Sequence, residues 1–141
     1  MKILGTGSYL PETVYDNAYM ESIVDTSDQW IVERTGIRER HILKNERSSH
    51  MAAEAAMRAM KAAGIRSGDV GAVICATFTP DELVPSMACC VVEELGIVCP
   101  AFDVTAACTG FIYALKAASA FLGGGKCVLV IGAETLSKVV N

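Results

Sequence analysis

The sequence predicts an α/β protein, in which a largely parallel sheet lies between layers of helices. Two observations favour this fold class. Apolar strand-like runs alternate along the chain with segments whose apolar residues recur at helical spacing. In addition, 52% of the 141 residues are hydrophobic and the mean hydropathy is +0.37, which suits strands that are covered on both faces.

Composition excludes several classes of protein. We expect a single domain from the length. No apolar run approaches the roughly 18 residues of a membrane helix, and Met1–Gly7 breaks off too early for a signal peptide. Six cysteines without a secretory signal indicate the reducing cytoplasm, and the lack of CxxC or paired Cys/His spacing argues against a metal site. A net charge of −4 gives no reason to expect nucleic acid.

The N-terminal run Lys2–Ser8 predicts a first strand. Its Gly5-Thr6-Gly7 is typical of dinucleotide-binding loops, but Leu10 occupies the position of the third glycine in GxGxxG, so we discount that interpretation. A short helix capped by Asp16 or Asn17 is expected to follow.

The segment Thr26-Ser27-Asp28-Gln29 has the form of a capping box with Thr26 as the N-cap, and it predicts a helix over Ser27–Thr35 that Gly36 ends. Trp30 and Arg34 then share one helix face. An indole beside a guanidinium can clamp a planar base that carries phosphates. The alternative, which spacing alone favours, is that Trp30 anchors a core and Arg34 is a solvated charge.

Further elements alternate along the middle of the chain. Arg38–His41 is a charged turn, either a solvated edge or a contact for an acidic partner. A helix from Ser48 or Ser49 to Ala63 carries an alanine stripe that lets it lie close on a sheet, and Gly64 ends it. Val70–Thr77 predicts the second strand.

The C-terminal third continues the alternation. Pro85 and Gly96 bracket a helix over Ser86–Leu95. Gly123-Gly124-Gly125 separates the last helix from a strand over Lys126–Ala133. Gly125-Lys126 is not the end of a phosphate loop, because Cys127 stands where serine or threonine is required and because the helix precedes the strand.

The central feature is a corner between a predicted buried strand, Val98–Val104, and a helix predicted over Cys108–Leu122. A thiol in the first turn of a helix meets unpaired N–H groups and the positive end of the helix dipole, which stabilise a thiolate. The same N–H groups can receive the oxygen of a thioester carbonyl during attack. Small residues around Cys108, including Gly110, leave room for a substrate.

Cysteine is more often a small buried hydrophobe than a nucleophile. Cys75, Cys99 and Cys127 lie in apolar runs, and Cys89 and Cys90 are neighbours on a predicted helix, so we interpret all five as packing residues. The residue pattern alone leaves the two interpretations of Cys108 evenly balanced.

Two stretches together resemble the β-ketoacyl-acyl-carrier-protein synthase III family. Asp25–His41 closely resembles the N-terminal signature of that family, and Phe102–Phe111 resembles its active-site segment. Gly5–Pro11 and Ile131–Glu134 match in the same order and spacing. Thr109 is a small departure, because the family more often has alanine or serine there.

The resemblance implies a thiolase-like, layered α/β/α fold with a mixed, mostly parallel sheet. It implies that Cys108 takes the acyl group from acyl-CoA, that Trp30 and Arg34 hold the CoA adenine, and that Thr26 lies nearby on the nucleotide side. Val84 and Phe111 are expected at the acyl pocket, with Val84 reaching the pocket of the partner subunit.

The implied reaction is a decarboxylating Claisen condensation that starts a fatty-acid chain in the cytoplasm. The acyl-enzyme is attacked by the carbanion that malonyl-acyl-carrier protein forms on losing CO2, and 3-oxoacyl-carrier protein results. No cofactor is needed besides the substrate acyl-CoA. Family members are homodimers joined along the strand that precedes the nucleophile, here Val98–Val104.

The resemblance covers residues 1–141 as an incomplete N-terminal half-domain, with the C-terminal half absent. The catalytic histidine and asparagine of the family belong to that other half, and neither His41 nor His50 matches them. The family's fifth strand, interior between the first and fourth, is expected after Asn141. Three interpretations stay open: one piece of a split or cleaved synthase, a truncated synthase, or a non-catalytic remnant that binds CoA or a partner.

Rival functions are weaker. A cysteine hydrolase needs a histidine base, and a nucleotide-binding domain needs a phosphate-loop fingerprint. Chalcone-synthase-like and hydroxymethylglutaryl-CoA-synthase-like enzymes share the nucleophile but not the Trp30–Arg34 signature.

Overall fold

The computed structural model describes residues 1–139, which form two compact units. The smaller unit is Leu10–Asn45. The larger unit combines Met1–Tyr9 with the chain from Glu46 onward. Within residues 1–139, no helix has the length and apolar character that crossing a membrane requires.

The smaller unit pairs strand β1 (Val14–Asp16) antiparallel with strand β2 (Glu39–His41) and contains helices α1 (Asn17–Ile23) and α2 (Asp28–Thr35). The interpretation of residues 38–41 as a mere charged turn is wrong, because Arg40 lies in β2. Its guanidinium donates hydrogen bonds to the Tyr15 carbonyl oxygen at 3.1 Å and to Oδ1 of buried Asn17 at 2.7 Å. A partly buried arginine bonded in this way ties the strand pair to α1.

Helix α2 begins one residue later than predicted. Its N-cap is Ser27, whose Oγ accepts a hydrogen bond from the Trp30 N–H at 3.1 Å. The expectation of Thr26 as the cap is therefore wrong: the side chain at an N-cap bonds the third residue of the helix, and that geometry selects Ser27. Gly36 ends α2 in the left-handed conformation with φ 73°, as predicted.

The larger unit is built on a three-stranded parallel sheet. Strand β3 (Val70–Ala76) is central, flanked by β4 (Ala101–Val104) and β5 (Cys127–Gly132). Helices α3 (Ser48–Ala63) and α4 (Met87–Glu94) contribute to the core on one face, and α5 (Gly110–Ala118) covers the other. The predicted α/β layering is confirmed.

Alternate residues of β3 supply the two faces of the core. Val73 and Cys75 pack with the residues of α3 and α4, whereas Ile74 and Ala76 pack with Ala114 and Ala118 of α5. Successive side chains of a strand point to opposite faces, and β3 is therefore buried along nearly its whole length. A strand that is buried on both faces reads as a continuous apolar run, which is why the sequence predicted it well.

Two strand predictions fail in part. Strand β4 begins at Ala101 rather than Val98, its residues are only half-buried, and Val98 is 99% exposed. Pro100 has no N–H for a ladder, and β4 lies at the sheet edge with β3 as its one neighbour in the described chain. The expected strand Lys2–Ser8 is an extended segment without strand pairing within residues 1–139.

That N-terminal segment lies directly on α3. A Cβ added to Gly5 would stand 2.6 Å from the Ala63 nitrogen, and one added to Gly7 would collide with the backbone of Ala59 and Ala55. Only glycines permit this approach to the alanine-rich face of α3. Ala52 and Ala56 of the stripe pack in the core with Val73 and Cys75 of β3, as expected for a helix that lies close on a sheet.

A cleft of about 560 Å³ separates the same segment from β5. Met1–Gly7 lines one side and residues 126–132 line the other, with α3 and α5 also contributing. Within the described chain, β5 pairs with β3 alone, so its other edge carries unpaired backbone groups.

We predict that Gly7→Ala destabilises the protein, because the added methyl group has no space against the backbone of α3. Overpacking of this kind costs about 1–3 kcal/mol of the free energy of unfolding. Urea denaturation followed by circular dichroism measures the loss. Gly68→Ala is the matched control, since nothing lies within 4 Å of the Cβ it would add. Equal stability of the two variants would show that the N-terminal segment does not pack on α3.

Candidate functional site

Cys108 lies at the corner between β4 and α5. A 3-10 turn over Ala107–Thr109 carries it, and α5 follows from Gly110. The helix therefore begins two residues later than predicted and ends earlier, at Ala118, followed by a 3-10 turn over Ser119–Phe121. The Cys108 side chain is exposed. The thiol thus stands on the turn that leads into α5, open to a substrate.

The corner is made by an unusual backbone conformation at Ala107. Its φ of 44° is the one positive φ among the non-glycine residues of the described chain. A left-handed conformation costs an alanine about 1–2 kcal/mol. Such strain persists only where the surrounding structure over-determines it, and it is concentrated at functional sites.

Hydrogen bonds from neighbouring strand ends hold this corner. The Thr105 hydroxyl donates to the Thr77 carbonyl oxygen at 3.0 Å, and the Thr77 N–H donates to the Val104 carbonyl oxygen at 3.2 Å. Gly110 is buried, and a Cβ added there would lie 3.5 Å from Ala76 Cβ. The loops that follow β3 and β4 are therefore bonded to each other immediately before Cys108.

The other five cysteines are less accessible than Cys108. Burial raises the pKa of the Cys75 thiol, which lies 3.5 Å from the Met87 sulfur, and burial also raises the pKa of Cys90 and Cys99. Cys89 is partly buried in the first turn of α4, where its Sγ lies 3.7 Å from the Ala101 carbonyl oxygen. Of the six thiols, Cys108 is the exposed one.

Both histidines bond groups other than Cys108. In the smaller unit, His41 Nδ1 lies 2.6 Å from the Pro11 carbonyl oxygen. In the larger unit, His50 Nδ1 lies 2.6 Å from Glu94 Oε1, and this hydrogen bond raises the pKa of His50. Within residues 1–139, no hydrogen bond joins Cys108 Sγ to another group.

Trp30 and Arg34 meet on α2 of the smaller unit. The Arg34 guanidinium carbon lies 4.9 Å from the centroid of the indole, and 53% of Trp30 is exposed. The alternative of Trp30 as a core anchor of this unit is therefore wrong, since α2 buries none of its residues fully. Thr26 is partly buried just before the N-cap of α2. One face of the indole is covered by a cation, which leaves a flat aromatic surface for a ligand.

The two residues expected at the acyl pocket lie in different surroundings. Phe111 lines the cleft beside β5, where its ring lies against Gly132. Val84 is 83% exposed in the loop before α4 and is not among the residues that line this cleft. Their role in an acyl pocket stays a prediction.

Two acidic residues near the corner were not assigned a role from the sequence. Asp103 on β4 accepts hydrogen bonds from the N–H groups of Met87 and Ala88, both at 2.8 Å, and so fixes the start of α4. Glu134, just after β5, accepts hydrogen bonds from the loop that follows β3. The sequence signal that could have identified both residues is a charged side chain within or next to an apolar strand. Within residues 1–139, no group of three or more His, Cys, Asp or Glu side chains is placed to hold a metal ion.

Comparisons with known proteins agree with the resemblance. A family model described as 3-oxoacyl-[acyl-carrier-protein (ACP)] synthase III matches residues 102–141. The β-ketoacyl-[acyl-carrier-protein] synthase III of Xylella fastidiosa is 52% identical over 144 aligned residues, which cover 99% of this chain and 44% of that protein.

Solved structures give the same result. The 3-oxoacyl-[acyl-carrier-protein] synthase III of Aquifex aeolicus matches with a TM-score of 0.93 and 50% identity, over 99% of this chain and 46% of that one. The priming β-ketosynthase of the R1128 polyketide biosynthetic pathway matches with a TM-score of 0.93 and 33% identity, over 99% of this chain and 43% of that one. The chain spans less than half the length of these proteins. The fold is thiolase-like, as predicted, and the chain is similar to the N-terminal part of β-ketoacyl-[acyl-carrier-protein] synthase III proteins.

Proposed function

We propose that this chain provides the acyl-accepting thiol of a synthase that begins fatty-acid chains in the cytoplasm. The observation that carries the proposal is the setting of Cys108, the exposed thiol of six, on a strained corner between a parallel strand and a helix. Its thiolate attacks the carbonyl carbon of acyl-CoA, the bond from that carbon to the CoA sulfur breaks, and the acyl group stays on Cys108 as a thioester.

Backbone groups at the corner support this step. The Cys108 N–H makes no backbone hydrogen bond within residues 1–139, so it is available to the oxygen that becomes negative during attack. The dipole of α5 adds positive potential at the same end. These features favour acyl transfer over simple burial of a thiol.

The Trp30–Arg34 pair is the proposed site for the adenine end of CoA. The exposed indole face can stack on the base, and the guanidinium, which forms no ion pair within residues 1–139, can attract a phosphate. Thr26 is the proposed neighbour on the nucleotide side. No cofactor other than the substrate is required.

Condensation requires more than this chain. In the proposed reaction malonyl-acyl-carrier protein loses CO2, the resulting carbanion attacks the acyl-Cys108 carbonyl, and 3-oxoacyl-carrier protein leaves while the thiolate is regenerated. We propose that a C-terminal half, in the same protein or in a partner chain, supplies the histidine and asparagine, and that the complete enzyme is a homodimer. The unpaired edge of β5 beside the cleft supports a missing strand in the larger unit.

We predict that the chain acylates itself at Cys108. After incubation with acetyl-CoA, intact-mass spectrometry should show the mass of one added acetyl group, and Cys108→Ser should abolish the addition. Cys89→Ser is the matched control, because Cys89 also lies in the first helical turn of its segment but is partly buried. Acetylation that persists in Cys108→Ser would contradict the assignment of the nucleophile.

We predict that the nucleotide pair determines how tightly acyl-CoA binds. Trp30→Ala should raise the acetyl-CoA concentration that half-saturates acylation about tenfold, because base stacking on an aromatic ring contributes about 1–3 kcal/mol. Arg34→Ala should raise it several-fold. Arg38→Ala, an exposed arginine of the same unit outside α2, is the control and should behave as wild type. An unchanged half-saturating concentration in both test variants would contradict the assignment of this site to CoA.

We predict that the chain by itself forms no carbon–carbon bond. Acetyl-CoA and malonyl-acyl-carrier protein should give acyl-Cys108 but no 3-oxoacyl product, because within residues 1–139 neither histidine bonds or orients the thiol. Product should appear when the chain is co-expressed with the C-terminal part of the Xylella relative. Product formed by the chain alone would show that residues 1–141 contain a complete catalytic set.

A further inference from the structure

Glu134 joins the carboxyl ends of two parallel strands. It follows β5 closely, and its carboxylate reaches the loop that follows β3. Oε1 accepts a hydrogen bond from the Phe78 N–H at 2.9 Å, and Oε2 accepts one from the Thr79 hydroxyl at 2.5 Å. Two bonds to one carboxylate fix the direction of this loop as well as its distance from β5.

Buried polar groups complete the junction. The Thr79 hydroxyl oxygen accepts a hydrogen bond from the Thr135 N–H at 2.9 Å, and the Thr135 hydroxyl lies 2.9 Å from Ser48 Oγ at the start of α3. Thr79, Thr135 and Ser48 are all buried. A buried polar group that loses its partner costs about 1–3 kcal/mol, so the loop has one strongly preferred position while these bonds are intact.

The same loop holds the corner at Cys108. The Thr79 N–H donates to Thr77 Oγ1 at 3.2 Å, and the Thr77 carbonyl oxygen accepts the hydroxyl of Thr105, which lies on the short stretch between β4 and Cys108. A continuous series of hydrogen bonds therefore runs from Glu134 through residues 77–79 to the residue that leads into the corner. None of these groups is the thiol itself.

We propose that Glu134 is a positioning residue for Cys108. Its carboxylate fixes loop 77–79, the loop fixes Thr105, and Thr105 helps to hold Ala107 in its left-handed conformation, which presents the thiol and the Cys108 N–H to an acyl thioester. The proposal rests on the proposed function of Cys108 and adds to it a residue that acts through the loop without touching the substrate.

The exposure of Glu134 separates this role from a purely structural one. Because the side chain is exposed, Glu134→Ala leaves no cavity, and water can replace the bond to the Phe78 N–H. The fold should therefore survive the substitution, whereas the loop loses its fixed direction. Misplacement of reacting groups reduces rates strongly even when binding is unchanged.

The experiment compares Glu134→Ala, Glu134→Gln and the control Glu93→Ala, an exposed glutamate of α4. Four quantities are measured on the full chain. Two are the maximal rate and the half-saturating concentration of acylation by acetyl-CoA. The others are the pH profile of Cys108 alkylation by iodoacetamide, followed by peptide mass spectrometry, and the melting temperature. Glu134→Ala should lower the maximal acylation rate about tenfold with half-saturation nearly unchanged, and should alter the alkylation profile.

Glu134→Gln should recover part of the loss, because its amide oxygen still accepts the Phe78 N–H while the Thr79 hydroxyl loses its acceptor. Glu93→Ala should match wild type. The inference is overturned if Glu134→Ala acylates and alkylates as Glu93→Ala does, or if only its melting temperature falls. If the wild-type chain accepts no acetyl group, the proposed function is wrong. In that case the pH profiles of Cys108 alkylation alone test the role of Glu134.

Discussion

The corner at Cys108 depends on one alanine held in a conformation that alanine disfavours. Ala107 turns the chain from β4 into α5 with a φ of 44°, and no glycine is present to make that turn without strain. The compensation comes from outside the corner. Gly110 is buried close to Ala76, and the Thr105 hydroxyl bonds the loop after β3. We infer that contacts at the ends of β3 and β4 stabilise the strained conformation of Ala107, and that this conformation leaves the Cys108 thiol exposed.

The larger unit is well packed around β3 and open at one side. Both faces of β3 are covered, and both of its edges are paired. Strand β5, in contrast, presents an unpaired edge to the cleft, and beyond the cleft Met1–Gly7 packs on α3 rather than on a strand. A sheet edge of this kind invites pairing with another strand. The chain spans 44% of the Xylella relative. The unpaired edge of β5 is compatible with pairing to an additional strand of a longer protein.

The sequence was most informative where local chemistry determines structure. The N-cap Ser86 and the left-handed glycines at 64 and 96 mark helix ends through short-range bonds, and the predicted helices follow them. Strand predictions failed where pairing depends on residues that are distant in the sequence. The three residues of β1 or of β2 are too few to show an alternating pattern. Lys2–Ser8 has a strand-like composition but no partner strand within residues 1–139. The site divides in the same way. The corner pattern singled out Cys108. The hydrogen bonds of Glu134, in contrast, reach Phe78 and Thr79, which are 56 and 55 positions away in the sequence, so no local sequence pattern indicates them.

The two proposed functions of the chain differ in how much structure each needs. The Trp30–Arg34 pair is set by four-residue spacing on a single capped helix, so any substitution that leaves α2 intact leaves the pair intact. In our proposal, the position of Cys108 depends on the ends of β3, β4 and β5 together, whose hydrogen bonds connect Thr105 through loop 77–79 to Thr135 and to Ser48 on α3. Substitutions far from the thiol but within this network should therefore change the rate of acyl transfer and leave nucleotide binding unaffected. Of the two proposed functions, nucleotide binding therefore depends on local geometry, whereas acyl transfer depends on contacts between residues that are distant in the sequence.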